Sequence, residues 1–83
     1  MRFSIEWDEQ AADFLRKLPK TISERIIAKV DLLGDQPFRF LEHYECDCFK
    51  LRIGDYRALI DLNLEKNVVT IQVLDKRGRI YKR

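Results

Sequence analysis

The dipeptide Gly54-Asp55 stands between two stretches of alternating apolar and polar side chains, and it constrains the fold more than any other feature. A two-residue hairpin loop requires a positive φ. Glycine at the first central position supplies it without steric cost, which is the type II′ requirement. Such a loop also sets the strand register. Ile53 then lies opposite Tyr56, Arg52 opposite Arg57, Leu51 opposite Ala58 and Lys50 opposite Leu59. Because side chains alternate faces along a strand, Phe49, Leu51, Ile53, Tyr56, Ala58, Ile60 and Leu62 form the core side. Cys48, Lys50, Arg52, Arg57, Leu59 and Asp61 form the other side, expected to be wet. Two arginines directly across a strand pair repel one another. An anion held by both guanidinium groups would account for the arrangement, and Lys50 adds a third cation to the same face. Exposed lysines and arginines are also ordinary solubilising groups, so the hairpin alone leaves both readings open.

The elements around the hairpin follow from periodicity. Phe3, Ile5 and Trp7 alternate with polar neighbours and predict a half-buried strand. Asp8 reads as a helix N-cap with Glu9 in the first turn. Ala11, Phe14, Leu15 and Leu18 make the apolar stripe of that helix, and Pro19 stops it. Thr21-Ile22-Ser23-Glu24 has the form of a capping box opening a second helix, with Ile22, Ile26, Ile27, Val30 and Leu33 inward and Gly34 as the C′ residue. Residues 35–45 lack a period and read as a loop. Residues 46–53, 56–62 and 68–74 read as strands, with a turn at Glu65-Lys66-Asn67. The expected fold class is α+β over residues 1–83 as a single domain. An N-terminal strand and an antiparallel helical hairpin pack on a mostly antiparallel four-stranded sheet. Where the first strand joins that sheet is not encoded in any local pattern.

Charge is divided unevenly. Residues 1–49 sum to −3 and residues 50–83 to +5, so the overall value of +2 conceals a basic C-terminal part. The last eight residues carry five cations, Lys76, Arg77, Arg79, Lys82 and Arg83, together with Tyr81 and no acid. This is the footprint expected for a polyanion. If the tail returns along the sheet, Arg77 and Tyr81 join the Lys50/Arg52/Arg57 cluster. Unbroken alternation, however, puts Arg77 in phase with core positions Val69, Ile71 and Val73, so a turn somewhere between Asp75 and Gly78 is needed, and Gly78 would allow a bulge or bend. No stretch approaches the roughly 20 apolar residues of a membrane span, and the start lacks a signal-peptide pattern. A cytoplasmic chain without membrane contact is expected. Cys46 and Cys48 with His43 lack a fourth metal ligand, so neither metal nor cofactor is expected. Glu42, Glu45 and Asp47 read as solvated loop carboxylates, and Trp7 as core.

The run Phe49-Lys50-Leu51-Arg52-Ile53-Gly54-Asp55-Tyr56-Arg57, followed by Val73-Leu74-Asp75-Lys76-Arg77-Gly78-Arg79-Ile80-Tyr81-Lys82, resembles the RelE/ParE superfamily of prokaryotic toxin–antitoxin toxins. The Lys17-Leu18-Pro19 junction and the chain length fit as well, and the resemblance leans to the RelE branch. It implies a RelE-like fold and an mRNA interferase that cuts messages in the ribosome and is neutralised by a cognate antitoxin. By the same resemblance Lys50 activates the nucleophile or holds the backbone, Arg52 supports it, and Arg57 and Arg77 stabilise the phosphate. Tyr81 stacks on a base or moves a proton. The neighbouring cations Lys76, Arg79, Lys82 and Arg83 would track the nucleic acid. This chain has Lys76 where many relatives place a histidine, and Cys48 where some have a lysine. Two other readings use the same residues: a ParE-type gyrase inhibitor, and a basic nucleic-acid-binding module without catalysis. Part of the helical stripes would then form a groove for an antitoxin helix.

Overall fold

The computed structural model of the protein describes residues 2–43 and 48–76. Its elements run β1 (Ser4–Trp7), α1 (Glu9–Arg16), α2 (Lys20–Asp35), α3 (Pro37–Phe40), β2 (Glu42–His43), β3 (Cys48–Ile53), β4 (Tyr56–Asn63) and β5 (Val68–Lys76). The strands form one sheet in the order β1-β5-β4-β3-β2. β1 is parallel to β5, and every other pairing is antiparallel. The α+β fold is therefore as expected, with one more strand than the four anticipated. The addition is β2, two residues inside the stretch expected to be a loop, and α3 lies in that stretch too. Pro37 opens α3 at its first turn, where a missing N–H costs nothing.

Two helix-end expectations fail for physical reasons. Pro19 is the N-cap of α2, and its carbonyl accepts the amides of Ile22 and Ser23, both at 3.0 Å. The helix thus begins before Thr21, and the expected capping box at Thr21 does not form. Ser23 Oγ instead donates to the Lys20 carbonyl. Gly34 does not terminate α2, which runs on through Asp35. It is buried because the N-terminal strand crosses there. The Phe3 amide donates to the Gly34 carbonyl at 2.6 Å, and a Cβ on Gly34 would lie 3.3 Å from the Phe3 carbonyl oxygen. Absence of a side chain, rather than a left-handed conformation, is what that position uses.

The core lies between the helices and one sheet face. Ala11 of α1 and Ile26, Val30 and Leu33 of α2 meet Leu51, Ile53, Ala58, Ile60, Val69, Ile71 and Leu74. At roughly 25 cal/mol per Å² of apolar surface removed from water, this layer is the main stabilising contribution. Trp7 packs against the cluster at its edge. No helix among the described residues is long and apolar enough to cross a membrane.

Candidate functional site on the hairpin

The hairpin register is the one read from Gly54-Asp55: Ile53 pairs with Tyr56, Arg52 with Arg57, Leu51 with Ala58 and Lys50 with Leu59. Gly54 has φ +58°, while Asp55 does not share the positive sign, which is the type II′ pattern. The β4–β5 pairing extends these rows across the sheet. Arg52, Arg57 and Asp75 form one row, and Lys50, Leu59 and Val73 the next. Glu42 of β2 completes the second row, with its Oε2 3.6 Å from Lys50 Nζ.

The face is not uniformly wet. Arg52 is exposed, and the Lys50 side chain is 20% exposed, but Arg57 is only 3% exposed and Leu59 is buried as well. The expected open trio of cations is thereby corrected. Arg57 occupies the central strand between Arg52 and Asp75, so a carboxylate-bearing strand already neighbours it. Its Nη1 donates to the carbonyls of Tyr56 at 3.1 Å and Gly54 at 3.4 Å. A buried guanidinium is tolerated only when its donors find acceptors. Among the described residues no buried side-chain nitrogen or oxygen lacks a partner. The Arg52–Arg57 repulsion therefore does not by itself demand a bound anion.

Phase along β5 is the second correction. Leu59 pairs with Val73 but Ile60 pairs with Ile71, so Gln72 is the extra residue of a β-bulge. Before the bulge Val69 and Ile71 face the core. After it Leu74 does, fully buried, while Val73 and Asp75 stand on the Arg57 side. Val73 is not a core-phase position, because the strand changes face at Gln72; the bend expected between Asp75 and Gly78 extends into residues outside those described. Lys76 ends β5 and is exposed. Arg77, Arg79, Tyr81, Lys82 and Arg83 lie outside the described residues, as do Glu45, Cys46 and Asp47. His43 and Cys48 belong to opposite faces: His43 pairs with Phe49 and packs edge-on against its ring at 5.6 Å, whereas Cys48 stands opposite Asp61.

Gln10 is a residue that sequence reasoning passed over. β1 covers β5 only as far as Ile71, where Asp8 N–H reaches the Ile71 carbonyl. Beyond that point the Gln10 carboxamide stands in for a strand. Its Oε1 accepts Leu74 N–H at 3.1 Å, and its Nε2 donates to the Leu74 carbonyl at 3.3 Å. This clasp holds the half of β5 that carries Asp75 and Lys76. A glutamine in the first turn of a helix carries no local mark of such a role.

The fold and its hairpin can be set beside known proteins. The family described as the ParE toxin of the type II toxin–antitoxin system parDE matches residues 5–81. The chain belongs to that family of toxins. Within the RelE/ParE superfamily its structural likeness is to RelE members. The RelE–RelB complex of Pyrococcus horikoshii matches with a TM-score of 0.78 at 28% identity, covering 95% of this chain and 99% of that one. An arginine-to-alanine double mutant of the E. coli toxin RelE in the free state matches with a TM-score of 0.78 at 27% identity, covering 99% and 93%. The toxin–antitoxin complex RelBE2 of Mycobacterium tuberculosis gives a TM-score of 0.84 at 24% identity over 94% of each chain, a likeness of fold. Comparison with curated proteins gives no match.

Proposed function

We propose that this toxin is a ribosome-dependent mRNA endonuclease, acting in the cytoplasm and neutralised by a cognate antitoxin. The observation that carries the reading is the pair of cations on one hairpin face. Exposed Arg52 and partly exposed Lys50 stand beside buried Arg57 in a fold shared with RelE. In the proposed reaction the 2′-oxygen of a message nucleotide bonds to the adjacent phosphorus and the bond to the 5′-oxygen breaks. The products are a 2′,3′-cyclic phosphate and a 5′-hydroxyl. Negative charge grows on the non-bridging oxygens, which guanidinium forks meet bidentately. Arg52 and Lys50 are the groups positioned to meet RNA first. Arg57 acts once the phosphate has displaced whatever covers it. In this reading Arg77 is a second arginine that stabilises the phosphate. Tyr81 stacks on a base or passes the proton to the leaving oxygen, and Lys76, Arg79, Lys82 and Arg83 hold the backbone. The RelE–RelB complexes among the related structures support an antitoxin partner for this chain.

Induced expression with primer extension on translated messages tests the reading. Growth should stop with new 5′ ends inside coding regions. Lys50→Ala and Arg52→Ala should each reduce cutting about 100-fold, the scale of one lost electrostatic group at a transition state, with folding retained. Intact messages in arrested cells would overturn it. The family match to a ParE toxin favours a second reading, gyrase inhibition without message cutting. DNA breaks and filamentation with intact messages are its signature.

A further inference from the structure

β1 ends at Trp7, opposite Ile71, and the Asp8 amide still reaches the Ile71 carbonyl. Past that point β5 bulges at Gln72. Residues 73–76 then have β4 on one side and, among the described residues, no strand on the other. A bulge interrupts the ladder, and a strand end held on one side is prone to fray. Yet this is the part of β5 that sets Asp75 opposite Arg57 and carries Lys76, next in sequence to Arg77.

Two contacts from α1 brace it. Gln10 Oε1 accepts the Leu74 N–H at 3.1 Å, and Gln10 Nε2 donates to the Leu74 carbonyl at 3.3 Å. One planar amide thus meets both outward backbone groups of one residue, as a neighbouring strand would. One turn further along α1, the Phe14 ring stands edge-on to Tyr56, with centroids 6.1 Å apart. Tyr56 pairs with Lys76, and its carbonyl accepts from Arg57 Nη1. Ala11, between the two contacts, is fully buried in the core and fixes the helix against the sheet. At the strand end Asp75 Oδ1 accepts the Lys76 N–H at 2.7 Å. α1 therefore holds the end of β5 through Gln10 and the start of β4 through Phe14, and the Arg57–Asp75 pair lies within that brace.

We infer that Gln10 is a positioning residue of the toxin's site: through Leu74 it fixes where Asp75 and Lys76 stand relative to Arg57. It acts without touching RNA. The inference rests on the reading that the hairpin face meets the scissile phosphate. Packing alone would accept any unbranched side chain of similar length at this exposed helix position. The clasp needs a donor and an acceptor on one planar group, which glutamine has. Glutamate keeps the acceptor, but its second oxygen would oppose the Leu74 carbonyl. Methionine keeps the length and loses both bonds. The loss should fall on the chemical step rather than on binding. Lys50 and Arg52, which meet RNA first, stand on β3, away from the clasp.

The test compares the full-length chain with Gln10→Met, Gln10→Glu and Leu15→Ala, at a temperature where circular dichroism shows each fully folded. Leu15→Ala is the control, because it lowers stability from the same helix by removing a side chain packed on the core. Cutting of a ribosome-bound message is measured against toxin concentration. Both Gln10 variants should lower the maximal rate at least about tenfold, since a misplacement of about 1 Å remote from the chemistry can cost about 100-fold. Their half-saturating concentration should stay within about twofold of the parent's, and Leu15→Ala should keep both values within about twofold. A second readout needs no cutting: the Arg57 Nε–H signal in ¹⁵N NMR should shift or broaden in both Gln10 variants and hold in Leu15→Ala. A parent chain that cuts no message would overturn the ribonuclease reading, and the Arg57 signal would then decide the inference by itself. Full cutting by either Gln10 variant, an unmoved Arg57 signal, or the same losses in Leu15→Ala would each overturn the inference.

Discussion

Leu51 and Ala58 face one another across the hairpin, and both are completely buried beneath the helices. One residue along, Arg52 and Arg57 also face one another, yet Arg52 is exposed and Arg57 is 3% exposed. On the core side, burial follows from alternation where the two helices cover the face, while Phe49, Tyr56 and Leu62 at its margins are only partly buried. On the cation side it follows from position in the sheet. Arg52 stands on β3 where the edge is open, whereas Arg57 stands on a central strand flanked by β3 and β5. Identical side chains in one row thus become different chemical groups. One is available to an incoming anion, and the other is part of the hydrogen-bonded fabric of the turn.

The contrast can be broken most forcefully from the core side. Leu51→Ala removes a fully buried side chain and should cost about 2–5 kcal/mol in urea denaturation. A loss below 1 kcal/mol would mean that the helices do not cover this face as described. Arg57→Ala should be the next largest effect. It strips the Gly54 and Tyr56 carbonyls of a part-buried donor, at about 1–3 kcal/mol. Arg52→Ala should stay within about 0.5 kcal/mol. Equal losses for the two arginines would erase the distinction between them. For the same reason Arg52→Ala tests catalysis more cleanly than Arg57→Ala, whose lost activity would be confounded with lost stability.

Gln10→Ala should cost about 1–2 kcal/mol, two modest hydrogen bonds, and should speed hydrogen exchange at Leu74 ahead of that at Ile71. Uniform exchange along β5 would show that the clasp does not hold its distal half. The smallest effect is expected at Glu42→Ala. The Lys50–Glu42 pair has one largely exposed partner, and such pairs contribute under about 1 kcal/mol and fade with salt. A salt-independent loss would place Lys50 in a more buried network than its exposure suggests.

How far this architecture was legible depends on the range of each signal. Period-2 alternation and the Gly54 turn are local, and the register they imply is the observed one to the residue. The apolar stripes of α1 and α2 are local too, and they supply the observed core, except that Ile27, expected inward, is 41% exposed. The capping box at Thr21 does not form because α2 already begins at Lys20, with the Pro19 carbonyl accepting the amides of Ile22 and Ser23. Gly34 was misread because its neighbour is Phe3, distant in sequence. The exposure of Arg57 was misjudged because burial on a sheet face depends on the strand beside it. Of the candidate site, the residues of the hairpin could be named from sequence, but their accessibility could not.

The amino-acid sequence alone determined the elements, the hairpin pairing and the face to which Lys50, Arg52 and Arg57 belong, because turn geometry and alternation act within a few residues. Only the tertiary structure decided that β1 lies parallel to β5, that Gln72 bulges to bring Asp75 into the row of Arg57, and that Gln10 completes the edge β1 leaves open. Those outcomes depend on which strands become neighbours. Neighbourhood is settled by closing one shared core, a condition that no short window of sequence contains.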